Sequence, residues 1–309
     1  MLSIRRGTNG DMQRLDAPEP GCWIHAVAPS DEDLAAICRF GVPPALLSHV
    51  GDLDERPRAE HLDGVALVVL HCPLRRGEAA GAPFVTSPLS VFLLPHGVVT
   101  VAPQPAAFLD PLLDGRVGGL STTRTTEFVL RIFWQLADAY LAAVREINAS
   151  VDRLEDQLKR SLRNEEVLGL LDYQKSLTYF ATGMGANELV LERLQRSPAL
   201  RLGEHDQELL DDVRVEVRQA IEMVDISENI LSQLMDAFAS IVSNNLNSVM
   251  KVLTSVTILL AIPTLVASLY GMNVILPGAH HPLTLGALLL LCVALCGLLF
   301  GVFRRRNWL

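Results

Sequence analysis

Asn247, Met250, Thr254, Thr257, Ala261, Thr264 and Ser268 follow one another at alternating steps of three and four residues. On an α-helix that spacing stacks them along one face. A stripe of small and hydroxylated side chains has two uses. It can line a water-filled conduit, where polar oxygens face the passing ion. It can also glue a helix–helix seam, where Ser and Thr let two backbones approach. The spacing alone leaves both readings open. Two helices cannot enclose an aqueous path, so a conduit requires several copies of the chain arranged as a closed ring.

The elements around this stripe are apolar. Between Lys251 and Arg304 the chain carries no Asp, Glu, Lys or Arg. Val252 to Tyr270 and Leu283 to Phe303 are each long enough to cross a bilayer as a helix. The connecting segment, 271–282, reads GMNVILPGAHHP and is short and uncharged. Lys251 flanks the first span, and Arg304, Arg305 and Arg306 follow the second. Basic residues mark the cytoplasmic side, so both termini are expected inside and residues 271–282 outside. Gly297 and Gly301 on the second span are spaced for close helix packing. Pro263 interrupts the first span; it either kinks the helix or leaves a carbonyl that is satisfied locally.

Upstream, the pattern is that of a soluble domain. Residues 1–20 read as a polar, loosely ordered start, without the apolar core of a secretory signal. Cys22–Val27 reads as a strand, and Ser30 with Asp33 caps a helix that Gly41 closes. Val65–His71 is an apolar run of strand length, and Leu89–Leu94 with Val98–Ala102 flank Pro95-His96-Gly97 as a hairpin. Residues 1–120 are therefore expected to form a cytoplasmic α/β domain. Residues 121–203 hold two helical stretches, the second, from Asn164 to Arg196, weakened by Gly183 and Gly185. From Glu204 to Ile262 there is neither Pro nor Gly. One helix over 204–270 would be roughly 100 Å long and would carry the first span at its end. Residues 283–303 are the second span and 304–309 a basic tail.

The charge is −9, which disfavours a nucleic-acid partner and suits cations. The five cysteines form no C-x-x-C pair; Cys292 and Cys296, i and i+4 on an apolar helix, read as small packing residues. No Gly-x-Ser-x-Gly, His-Glu-x-x-His or phosphate-binding Gly-rich loop is present, so an enzyme is not expected.

Tyr270-Gly271-Met272-Asn273 closes the first span, before a short loop, a second span and a basic tail. Ser243-Asn244 and Asn247-Ser248-Val249-Met250-Lys251-Val252-Leu253-Thr254 approach it. Together these resemble the CorA family of divalent-metal transporters, whose hallmark is Gly-Met-Asn at this place. The resemblance implies a funnel-shaped homopentamer in the bacterial inner membrane, built from an α/β cytoplasmic domain, long helices and two C-terminal transmembrane helices. Its partners would be further copies, membrane lipid and divalent cations: Mg²⁺, with Co²⁺, Ni²⁺ or Zn²⁺ as alternatives, as cargo and regulator, and no other cofactor.

Carried over, Gly271, Met272 and Asn273 form the selectivity motif, with the Asn273 carbonyl holding the water shell of a hydrated cation, as Mg²⁺ would require. Asn247 forms an inner polar ring, Met250 and Leu253 a hydrophobic constriction, and Thr254, Thr257, Ala261 and Thr264 line the pore. Asp212 resembles the acid that binds a regulatory ion between subunits, and Asp236 a ring near the cytoplasmic mouth. Metal bridging the subunits would hold the ring closed. Two departures stand out. Ser48-His49 occupy the position of the family's acidic pair upstream of Arg56-Pro57-Arg58, with Asp52, Asp54 and Glu55 near enough to substitute. His280-His281 replace a carboxylate in the outer loop. Imidazole favours Zn²⁺, Co²⁺ or Ni²⁺ over Mg²⁺, which leaves a zinc transporter of the ZntB type, proton-coupled, as the alternative.

Overall fold

The computed structural model describes residues 2–8, 11–76, 81–118, 120–160, 164–197, 203–272 and 283–308. The chain divides into two compact units between Gln233 and Leu234, within one helix.

The first unit is built on a seven-stranded sheet of order β2-β1-β3-β7-β6-β5-β4. The strands are β1 (Leu2–Thr8), β2 (Asp11–Leu15), β3 (Cys22–Val27), β4 (Arg58–Leu62), β5 (Val65–Arg75), β6 (Phe84–Leu94) and β7 (Gly97–Ala102). Only β3 and β7 run parallel; every other pairing is antiparallel. Alternation sorts the side chains by face. Cys22 and Ile24 of β3, Leu67 and Val69 of β5, Phe92 of β6, and Val99 and Val101 of β7 pack on one side with α1 (Asp31–Arg39) and α2 (Pro44–Leu47). Ser30 caps α1 through a reciprocal pair with Asp33.

Trp23 points to the opposite side and meets Phe128 edge-on at 4.8 Å. Phe128 belongs to α4 (Thr125–Arg160), which follows a short α3 (Asp110–Leu113). Trp23 Nε1 donates to Thr100 Oγ1 at 2.8 Å, and His25 Nδ1 lies 2.8 Å from the same hydroxyl. Burial, with Arg5 nearby, holds His25 down at about 4, so the ring stays neutral.

The first residues differ from the sequence reading, and the second helix keeps the span expected of it. The first residues are an ordered hairpin, β1 paired with β2, whose Leu2, Ile4 and Leu15 pack against the buried core. Its signals were the Leu2-x-Ile4 alternation and Asn9-Gly10 between the strands. β4 had a similar one in Asp63-Gly64, both at positive φ. The second helix, α5 (Asn164–Gln195), runs through Gly183 without a break. Gly183 sits there because a Cβ would meet Tyr140 Oη at 2.8 Å and Thr86 Cγ2 at 3.0 Å. Close approach, not helix breaking, explains that glycine. Just beyond β4, Asn187 of α5 takes over the pairing of β5, accepting from His71 N at 2.9 Å and donating to His71 O at 2.7 Å.

α6 spans Glu204–Tyr270 as one helix with Pro263 inside it. In the first unit it buries Leu210, Val213, Val217, Ala220, Val224 and Leu231 at helical spacing, and Ser227 accepts from Asn148 of α4 at 3.0 Å. In the second unit its apolar half is accompanied by α7 (Thr284–Arg305). Both are long and apolar enough to cross a membrane, with only 6% of each apolar window buried within the chain. So much uncovered apolar surface requires lipid or other copies around it.

Candidate functional site

The stripe and the seam turn out to be different faces of α6. Beyond Lys251, the covered residues of its apolar half are Ser255, Leu259, Ile262 and Val266, with Ser255 fully buried. Their counterparts on α7 are Leu288, Cys292, Cys296, Leu299 and Phe303. At about 100° per residue, this seam lies well over a quarter-turn from the stripe. Asn247, Met250, Thr254, Thr257, Ala261, Thr264 and Ser268 are all exposed, as is Leu253. The hydroxyls of the stripe are therefore not the glue between α6 and α7. Gly297 and Gly301 do not serve that seam either: a Cβ at each would meet nothing within 4 Å.

Two of the stripe's hydroxyls have a defined polarity. Thr257 Oγ1 donates to Leu253 O at 2.8 Å and Thr264 Oγ1 to Leu260 O at 2.9 Å. Each proton is spent on the helix's own backbone. What remains on each oxygen is lone-pair density, an acceptor surface that suits a cation or its water shell.

At the end of α6, Gly271 N donates to Ala267 O at 2.9 Å, and a Cβ at Gly271 would lie 3.2 Å from that same oxygen. The glycine permits a tight final turn. Met272 is exposed beside it. Asn273, His280 and His281 lie outside the described residues. Asp212 and Asp236 are both exposed on α6.

His49 stands elsewhere. In the loop between α2 and β4, His49, Asp52 and Glu55 each offer a ligand atom within 4.8 Å of the others. The loop is held in shape by Asp52 N donating to His49 O at 3.0 Å and Asp54 N to Asp52 Oδ1 at 3.0 Å. Two residues anchor Glu55: Arg58 pairs with its carboxylate, and His71 Nε2 lies 2.8 Å from its carbonyl. Burial lowers the His71 pKa, so it donates from a neutral ring. One imidazole and two carboxylates make a borderline donor set, better matched to Zn²⁺, Co²⁺ or Ni²⁺ than an all-oxygen site. Of the three nearby acids, the structure brings Asp52 and Glu55 to His49 and leaves Asp54 outside the cluster. Asp212 is not part of it.

The CorA-like Mg2+ transporter protein family matches residues 19–305. The chain belongs to this family. A relative, the cobalt/magnesium transport protein CorA of Methanocaldococcus jannaschii, is 25% identical over 298 residues, covering 93% of this chain and 91% of that protein. The protein of the same name from Thermotoga maritima is 24% identical over 238 residues, covering 76% and 67%. Among solved structures, the complete CorA magnesium transporter from M. jannaschii matches with a TM-score of 0.86 at 24% identity, over 100% of this chain and 99% of that one. Full-length CmaX matches at 0.74 and 21% identity, over 99% and 97%. The ZntB cytoplasmic domain from Vibrio parahaemolyticus matches at 0.61 and 12%, over 78% and 98%. At these identities the structures establish the fold: an N-terminal α/β domain, long helices and two C-terminal apolar helices. The CorA-family chain is a divalent-cation transporter of the membrane, and its family is one of transporters rather than enzymes.

Proposed function

We propose that this chain assembles as a homopentamer in the bacterial inner membrane, both termini cytoplasmic, and carries Mg²⁺, with Co²⁺ and Ni²⁺ as lesser cargo, into the cell. The observation that carries this reading is the stripe on α6, which faces away from α7 with the hydroxyl protons of Thr257 and Thr264 spent on the helix backbone. Copies gathered about an axis would turn that acceptor surface into a conduit for a hydrated cation. Asn273 would hold the outer water shell, with Gly271 and Met272 shaping its turn. Asn247 would form the inner ring, and Met250 and Leu253 a dewetting gate. Thr254, Thr257, Ala261 and Thr264 would line the passage between. Asp212 would take intracellular metal between subunits and close the channel at high metal, and Asp236 would form a ring near the cytoplasmic mouth.

The test is ion-resolved flux through the purified protein in liposomes. Mg²⁺ flux blocked by cobalt hexammine and abolished by Asn273→Ala is the expected result. A monomer in bilayers, or wild-type flux from Asn273→Ala, overturns the proposal and leaves a tethered structural or signalling protein.

A second reading, zinc transport of the ZntB type, is favoured by the His49, Asp52 and Glu55 cluster, whose imidazole suits Zn²⁺. It expects Zn²⁺ flux that rises with a pH gradient. In either reading His49→Ala should weaken Zn²⁺ or Co²⁺ binding to the protein roughly tenfold or more, while Mg²⁺ binding changes little.

A further inference from the structure

The loop after Asp52, the far end of the β5–β6 hairpin and the outer face of α5 line a cleft of about 790 Å³ within the first unit. That size falls among small-molecule sites, which run about 300–1,000 Å³. The chain is acidic overall, yet two guanidinium groups line this cleft, Arg56 from the loop and Arg76 from the end of the hairpin strand. Their sequence neighbours are committed elsewhere: Arg58 pairs with Glu55, and Arg75 with Glu146 at 2.8 Å. Arg56 and Arg76 have no ion pair among the described residues. Among the described residues, Asp54 is the one carboxylate in the lining.

Gln104 and the half-exposed Tyr179 add neutral donors to the lining.

We propose that this cleft binds a small oligophosphate, with Arg56 and Arg76 each engaging a phosphate. Guanidinium groups on two separate walls call for a ligand with at least two anionic groups, and their planar donors match phosphate oxygens. The volume exceeds what a single phosphate fills. Free oligophosphate and the phosphate tail of a nucleotide share this chemistry. Both chelate divalent cations, so the metal-free share of either falls as the cargo of a divalent-cation transporter rises. The proposal rests on the first unit alone and stands whichever metal is carried.

The experiment is calorimetric titration of the purified full-length protein, in detergent and metal-free buffer, with tripolyphosphate and separately with ATP. Saturable binding of at least one probe is expected; tighter binding of ATP identifies the nucleotide as the source, and equal binding the phosphate chain alone. Arg56→Ala with Arg76→Ala should lower affinity roughly tenfold or more. Arg39→Ala, at an exposed position on α1, should bind as wild type. No saturable binding by either probe, wild-type affinity in the double variant, or an equal loss in Arg39→Ala overturns the proposal.

Discussion

The thiol of Cys296 on α7 lies 3.6 Å from the carbonyl oxygen of Leu259 on α6. That carbonyl is the one Pro263 deprives of its usual donor, since proline four residues on has no N–H. In lipid no water replaces the lost bond, so the neighbouring helix supplies a weak donor. Cys296 therefore does more than fill space between the helices.

This pairing makes a prediction by double-mutant cycle. Cys296→Ala should destabilise the full-length protein by about 1 kcal/mol, read as a lower melting temperature in detergent. Pro263→Ala restores the backbone donor, so in that background Cys296→Ala should cost nearly nothing. An equal cost in both backgrounds would refute the contact.

The division of α6 into two faces predicts a matching division of phenotypes. Thr257→Val with Thr264→Val removes acceptor oxygens from the exposed stripe and should cut Mg²⁺ flux several-fold with the oligomer intact. Ser255→Ala, on the covered face, should leave flux near wild type. The reverse pattern, measured in the same liposomes, would place the conduit elsewhere.

His25 predicts an acid sensitivity of the first unit. Its unfolded pKa is near 6.5 and its folded value about 4, lowered by burial and by Arg5. The unfolded chain binds the extra proton between these values, so its stabilising contribution is complete above pH 6.5 and is lost as pH falls towards 4. The loss is at most about 3 kcal/mol. The melting temperature should fall more steeply from pH 7 to 4 in wild type than in His25→Gln; identical slopes would show that His25 takes up its proton equally in the folded and unfolded chains.

Gly183 is a point of contact between α5, α4 and the sheet. Gly183→Ala places a methyl group 2.8 Å from Tyr140 Oη, whose hydroxyl donates to His71 O at 3.1 Å. The expected cost is about 1–3 kcal/mol. Adding Tyr140→Phe should recover part of it by removing the clashing oxygen. A neutral Gly183→Ala, by thermal unfolding, would mean the helix moves aside freely.

Periodicity made much of this molecule legible without coordinates. The two apolar spans, the unbroken run into the first of them, the stripe from Asn247 to Ser268 and the strands at Val65 and Val98 are all local patterns, set by which residues recur every two or every three to four positions. What periodicity cannot say is which face of a helix another element covers. The choice between Thr254 or Thr257 and Ser255 or Leu259 as the seam with α7 was made by packing between segments distant in sequence, through contacts such as Cys296 with Leu259. The same holds for the loop cluster. His49, Asp52 and Glu55 converge because Arg58 and His71 fix the loop against the sheet, and that convergence depends on a backbone path no spacing rule encodes. Side-chain type and repeat belong to the chain; the pairing of faces and the meeting of ligands arise only when distant segments compete for the same buried space.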